Sequence, residues 1–135
     1  MRELKFRAWS EEHKLFYYDA AIENGEAVLL DYVFSFNGLY GVKAVIIDDA
    51  IIEQYTGLKD KNGKEIYEGD IVRIDSMDEL RVGYVELVAE QYCIVCGEED
   101  GHKIVAEFYY YSKPEENCEV IGNIHENPEL VKEDK

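Results

Sequence analysis

Proline is nearly missing from this chain: only two occur in 135 residues, and neither lies in an apolar run. Few positions therefore deny the backbone a donor for a sheet ladder. Basic residues are scarce as well. Fourteen Lys and Arg stand against 30 Asp and Glu, giving a formal net charge of −16. The deficit is uneven: residues 1–67 hold 12 acids and 8 bases, residues 68–135 hold 18 and 6. Such a field repels phosphate backbones and anionic lipid, so direct nucleic-acid and membrane binding are disfavoured. No run approaches the ~18 apolar residues that a membrane helix requires. Met1-Arg2-Glu3 leads into polar–apolar alternation, not into the apolar centre of a secretion signal. Three cysteines are too few for a disulfide framework and suggest free thiols in a reducing cytoplasm.

What the chain does have is aromatic side chains, 11 Tyr, 5 Phe and one Trp, spread over runs of β-branched residues. The length fits one domain over residues 1–135, with a frayed acidic tail over 131–135. A chain of this size buries roughly two-thirds of its unfolded surface, enough for a core without metal or disulfide staples. Leu4–Trp9 alternates, placing Leu4, Phe6 and Ala8 on one face. Leu15–Tyr18, Ala27–Phe36, Val42–Asp48, Ala50–Tyr55, Glu65–Ile74, Arg81–Glu98 with a break near Ala89-Glu90-Gln91, Lys103–Tyr111 and Glu119–Ile124 follow. Apolar runs at such spacing, with turn signals between them, predict an all-β, small, single-domain barrel-like fold. Helical signals are few; the last is Asn127-Pro128-Glu129-Leu130, with Asn as N-cap and Pro at the first helical position, and it predicts a short C-terminal helical turn.

The most ordered passage is Gln54–Val72, QYTGLKDKNGKEIYEGDIV. Its glycines could cradle a phosphate or form corners. A phosphate loop opens a helix with converging amides. Here the glycines open strands and carboxylates crowd them, which favours corners. Asn62-Gly63 predicts a two-residue type I′ hairpin between Leu58 and Ile66, with positive φ at both central positions. Gly69 predicts a second corner of positive φ before Asp70-Ile71-Val72.

Three passages, Met1–Trp9 (MRELKFRAW), Gln54–Val72 and Val120–Leu130 (VIGNIHENPEL), resemble in order the signature blocks of the YopX family of small phage- and prophage-encoded proteins. The resemblance implies a mainly β, barrel-like core and an unestablished biochemical function, and it carries no catalytic residues with it. Tyr67–Ile74 also resembles the start of a strand in SH3-like barrels, where a Gly-Asp pair precedes an apolar run.

Other constellations read as structural. Cys93-Ile94-Val95-Cys96 has metal-like spacing, but strand residues three apart face opposite sides, so core thiols are expected. A metal site there needs Cys118 or His102 to converge as well. His13, His102 and His125 lie in polar surroundings without a nucleophile neighbour, which suggests rim positions. Asp48-Asp49, Asp78-Glu79 and Glu98-Glu99-Asp100 read as solvated turns and lack the spacing of a calcium loop. No cofactor, metal ligand or catalytic residue is assigned.

The candidates for interaction are Lys59, Asp60, Lys61 and Asn62 on the polar hairpin arm, and Tyr109, Tyr110 and Tyr111, since tyrosine is enriched in protein interfaces. The expected function is a non-catalytic protein-interaction or self-assembly module in the cytoplasm, its partner a second copy or a host or phage protein. Two alternatives are an acidic DNA mimic that inhibits a host DNA-binding protein, and a metal-dependent hydrolase using the acid clusters.

Overall fold

The computed structural model describes residues 4–18, 21–24, 26–36, 39–76, 79–88, 91–99, 102–107 and 114–131. Among the described residues the fold is all-β, with a curled half-barrel sheet and one short α-helix, as the alternating sequence predicts. Contacts group the chain into two compact units, Lys5–Gln54 and Tyr55–Lys135 together with Met1–Leu4.

In the Lys5–Gln54 unit, β1 (Phe6–Ser10) pairs antiparallel with β2 (Leu15–Tyr17) on one side and with the first half of β6 (Ile51–Lys59) on the other. β3 (Ala21–Glu23), β4 (Glu26–Phe36) and β5 (Leu39–Ile47) form a three-stranded antiparallel sheet in that order. β5 starts three residues before the predicted run, because Gly41 does not end it. Buried Ala8, Ala27 and Ile47 form the core, with Tyr17, Ile22 and Ala50 packed against them. The face of β1 opposite Ala8 carries Arg7 and Trp9, as strand alternation requires. Arg7 donates from Nε to Glu53 Oε1 at 2.9 Å, and both side chains are buried. Its guanidinium also lies 4.1 Å from the ring centre of Phe16, which in turn packs on Trp9 at 4.9 Å. The charge is therefore paired and stacked at once. Leu4, expected on the same face as Phe6 and Ala8, is 70% exposed.

In the other unit, the second half of β6 (Ile51–Lys59) pairs with β7 (Glu65–Tyr67). β8 (Asp70–Ser76), β9 (Glu79–Val88), β10 (Gln91–Glu99) and β11 (His102–Glu107) then run as an antiparallel meander. After α1 (Pro114–Asn117), β12 (Cys118–Asn123) returns to the free side of β8, giving the sheet order β11-β10-β9-β8-β12. The expected break in Arg81–Glu98 falls between β9 and β10. One face of the sheet buries Val72, Ile74, Val85, Tyr92, Ile94 and Cys118 together with Ile66. β9 and β10 approach closely at Gly83, where a Cβ would stand 2.3 Å from the Val95 carbonyl oxygen.

A 3₁₀ turn, Pro128–Leu130, fulfils the expected C-terminal helical turn. Asn127 does not cap it by its side chain. Its Oδ1 instead accepts from the Asn123 amide at 3.2 Å, while Asn123 Oδ1 accepts from the His125 and Glu126 amides. Helix α1 was not foreseen, although Pro114 followed by Glu115 and Glu116 is a start signal.

Candidate functional site

The Gln54–Val72 passage is a hairpin whose small residues sit at its corners. Tyr55 pairs with Tyr67 and Lys59 with Glu65, so four steps along β6 face two along β7. The surplus is a bulge at Thr56-Gly57-Leu58, with Gly57 at φ 87°. The ladder bonds lost there are replaced by one buried hydroxyl. Thr56 Oγ1 donates to the Ile66 carbonyl at 2.7 Å and accepts from the Leu58 amide at 3.1 Å.

The tip differs from the expected type I′ turn. Gly63 has φ 81°, but Asn62 is not among the residues of positive φ. The Gly63 amide donates to the Asp60 carbonyl at 2.9 Å, and the Asp60 amide to the Lys64 carbonyl at 2.8 Å. This is the pattern of a turn closed by a left-handed glycine bulge. The cause is the Asp60 side chain. Its Oδ1 accepts from the amides of Asn62 and Lys64, both at 2.9 Å, which fixes a local turn that I′ geometry would forgo.

Asp60 is only 3% exposed, and its second oxygen reaches across the unit to accept from the Val120 amide at 2.9 Å. Beside it, the Lys61 amide donates to the Cys118 carbonyl at 2.9 Å. The tip is thus pinned to β12. Of the four arm candidates, Lys59, Lys61 and Asn62 are exposed, as is Lys64, whereas Asp60 is buried and has three amide donors. Lys61 Nζ stands 4.0 Å from Glu119 Oε1, which also pairs with Arg73 Nη2 at 2.5 Å. What the arm offers chemically is three amines and a carboxamide held on a fixed loop. Tyr109, Tyr110 and Tyr111 lie outside the described residues.

The second corner follows the same economy. Gly69 has φ 83°, and buried Asp70 accepts from the Tyr67 amide at 2.8 Å. The Gly69 amide donates to the Val85 carbonyl and its carbonyl accepts from the Ile124 amide, both at 2.9 Å. Glu53, Asp60 and Asp70 are all buried, so three carboxylates of this acidic chain are withdrawn from its surface.

Strand alternation separates the two cysteines of the Cys93-x-x-Cys96 pair. Cys96 packs against the cluster of Tyr92 and Ile94, while Cys93 belongs to the opposite series with Val95. All three cysteines are free, and burial pushes the Cys118 thiol up to about 12, with Asp60, Asp70 and Glu119 adding to the shift. Such a thiol is a poor nucleophile and a poor metal ligand. Among the described residues no group of three or more His, Cys, Asp or Glu is placed to hold a metal ion. Asp49, from one acid cluster, accepts from the Glu12 amide at 2.8 Å and from Ser10 Oγ at 3.1 Å. Those bonds, the Glu12 amide foremost, hold its carboxyl below the usual range. His13 is exposed, with Nδ1 2.8 Å from Tyr17 Oη. His125 is half-buried.

Sequence reasoning missed Thr56 and the reach of Asp60. A Thr-Gly pair inside an apolar run was the available signal for the bulge. Nothing local signals a contact to Val120, 60 positions away.

Among solved structures, a crystal structure of a protein from Enterococcus faecalis matches with a TM-score of 0.61 and 25% identity, over 98% of this chain and 100% of that one. The crystal structure of the YopX protein from Bacillus subtilis matches with a TM-score of 0.57 and 22% identity, over 98% of this chain and 100% of that one. No curated protein matches the chain. The profile of the YopX protein family matches residues 5–132, spanning all three passages apart from the first four residues, and the chain belongs to the YopX family.

Proposed function

We propose that this chain is a non-catalytic interaction module of phage or prophage origin, acting in the cytoplasm by binding a second copy or another protein. The observation that carries this reading is the build of the hairpin tip. Its base is fixed by the buried Asp60 carboxylate, while Lys59, Lys61, Asn62 and Lys64 are all exposed. A loop held in one conformation loses little entropy on binding, so its side chains make efficient contacts. Amines displayed on a chain of net charge −16 are also locally distinct from the surface around them.

The test is sedimentation velocity over a concentration series, together with affinity capture from lysogenic cells. Both are repeated with Lys59→Glu, Lys61→Glu and Lys64→Glu combined. Association or capture that is lost in the triple variant is the expected result. A strict monomer that captures no partner, or a partner retained equally by the variant, overturns the reading.

A further inference from the structure

Among the described residues β12 is the last strand of its sheet, with β8 on one side and no strand on the other. An open edge of this kind invites another extended segment, and proteins blunt it with lysine, proline or a cover. Cys118-Glu-Val-Ile-Gly-Asn123 contains neither lysine nor proline. Its cover is the hairpin tip. The Val120 amide is taken by Asp60 Oδ2 and the Cys118 carbonyl by the Lys61 amide, each at 2.9 Å. A carboxylate and one backbone amide thus stand where the acceptor and donor of a neighbouring strand would be.

We propose that the tip is an autoinhibitory strand mimic, and that what it holds off is the β12 of a second copy of this chain. The sequence of β12 suits antiparallel pairing with itself. Centred on Val120, such pairing sets Glu119 opposite Ile121 and Cys118 opposite Gly122, so no like charges face each other. Two-fold symmetry then satisfies both edges with the same bonds and closes after two copies. This device is separate from the displayed side chains of the tip, because Lys59, Asn62 and Lys64 make none of the edge contacts described.

Asp60→Ala removes the carboxylate from the edge; it also frees the Asn62 and Lys64 amides, so the tip loosens while Lys59, Lys61, Asn62 and Lys64 themselves are retained. Hydrogen exchange at Val120 and sedimentation over a concentration series read the result. In dilute Asp60→Ala the Val120 amide should exchange at least tenfold faster than in the wild type. On concentration the mass should double relative to the wild-type species, with the Val120 amide protected again. Where Asp60→Ala fails to fold, Lys61→Pro replaces it. Proline suits the second position of this turn, and the change deletes the amide that caps Cys118 together with the Lys61 amine near Glu119, while Asp60, Asn62 and Lys64 are kept. It should raise the doubled species several-fold over the wild type. A folded variant that keeps the wild-type mass at every concentration, or doubles without protecting Val120, overturns the proposal.

Discussion

Thr56 offers a sharp test of how the hairpin is held, because one hydroxyl closes two backbone gaps. Replacing it with Val keeps the shape and β-branching but leaves the Ile66 carbonyl and Leu58 amide without their partner at 2.7 and 3.1 Å. A buried polar group deprived of its bond costs ~1–3 kcal/mol. Two such groups, less the hydroxyl's own desolvation, give a net loss of about 2–4 kcal/mol. Thr56→Ser keeps both bonds and removes one methyl, which costs about 1 kcal/mol. Equilibrium urea unfolding of the three proteins provides the comparison, with the slope checked for constancy so that midpoint changes report stability. Hydrogen exchange at Leu58 gives an independent reading, since only the Val variant should speed it markedly. If the Ser variant loses more stability than the Val variant, packing and not the hydroxyl holds the bulge, and the reasoning fails.

Arg7→Met should destabilise by about 3–5 kcal/mol, because buried Glu53 loses its guanidinium, and the double change with Glu53→Leu should recover much of that loss in the same urea assay. Gly83→Ala, which drives a methyl to 2.3 Å from the Val95 carbonyl, should lower the melting temperature more than Gly63→Ala, where a Cβ meets nothing within 4 Å and only φ 81° opposes it. Equal losses would show that β9 and β10 can separate freely. The Cys118 thiol has its folded value raised to about 12, against an ordinary value of 9.0. Its contribution is therefore full below pH 9 and falls as pH rises from there toward about 12, because the unfolded chain ionises first. Urea midpoints between pH 8 and 10.5 should decline less steeply in Cys118→Ala than in the wild type, and parallel declines would refute the assignment. In the folded protein, Cys118 should react with iodoacetamide far more slowly than the half-buried Cys96.

The strands were legible because alternation reports a surface with one buried side, and this chain alternates through most of its length. The corners at Gly63 and Gly69 were legible because L-residues resist positive φ and glycine does not. The geometry of the tip was not. Asn62-Gly63 argues for one turn, but Asp60 binds two amides of the same loop and selects another. Propensity at two positions lost to a side chain two residues earlier. The strand Lys103–Tyr111 is described only as His102–Glu107, and the tyrosine cluster beyond it lies outside the described residues. Arg7 with Glu53 and Asp60 with Val120 were invisible for a simpler reason. Each joins residues at least 46 positions apart, and no periodicity encodes a partner at that distance.

The order in which the ribosome delivers the second sheet follows from its topology. β8 to β11 can zip together as neighbours while the chain emerges, each hairpin closing a short loop. One flank of β8 must nevertheless wait bare until Cys118–Asn123 arrive, more than 40 residues after β8 itself. During that interval the nascent chain offers an unmatched row of donors and acceptors to any extended segment nearby, including one on the next chain of a polysome.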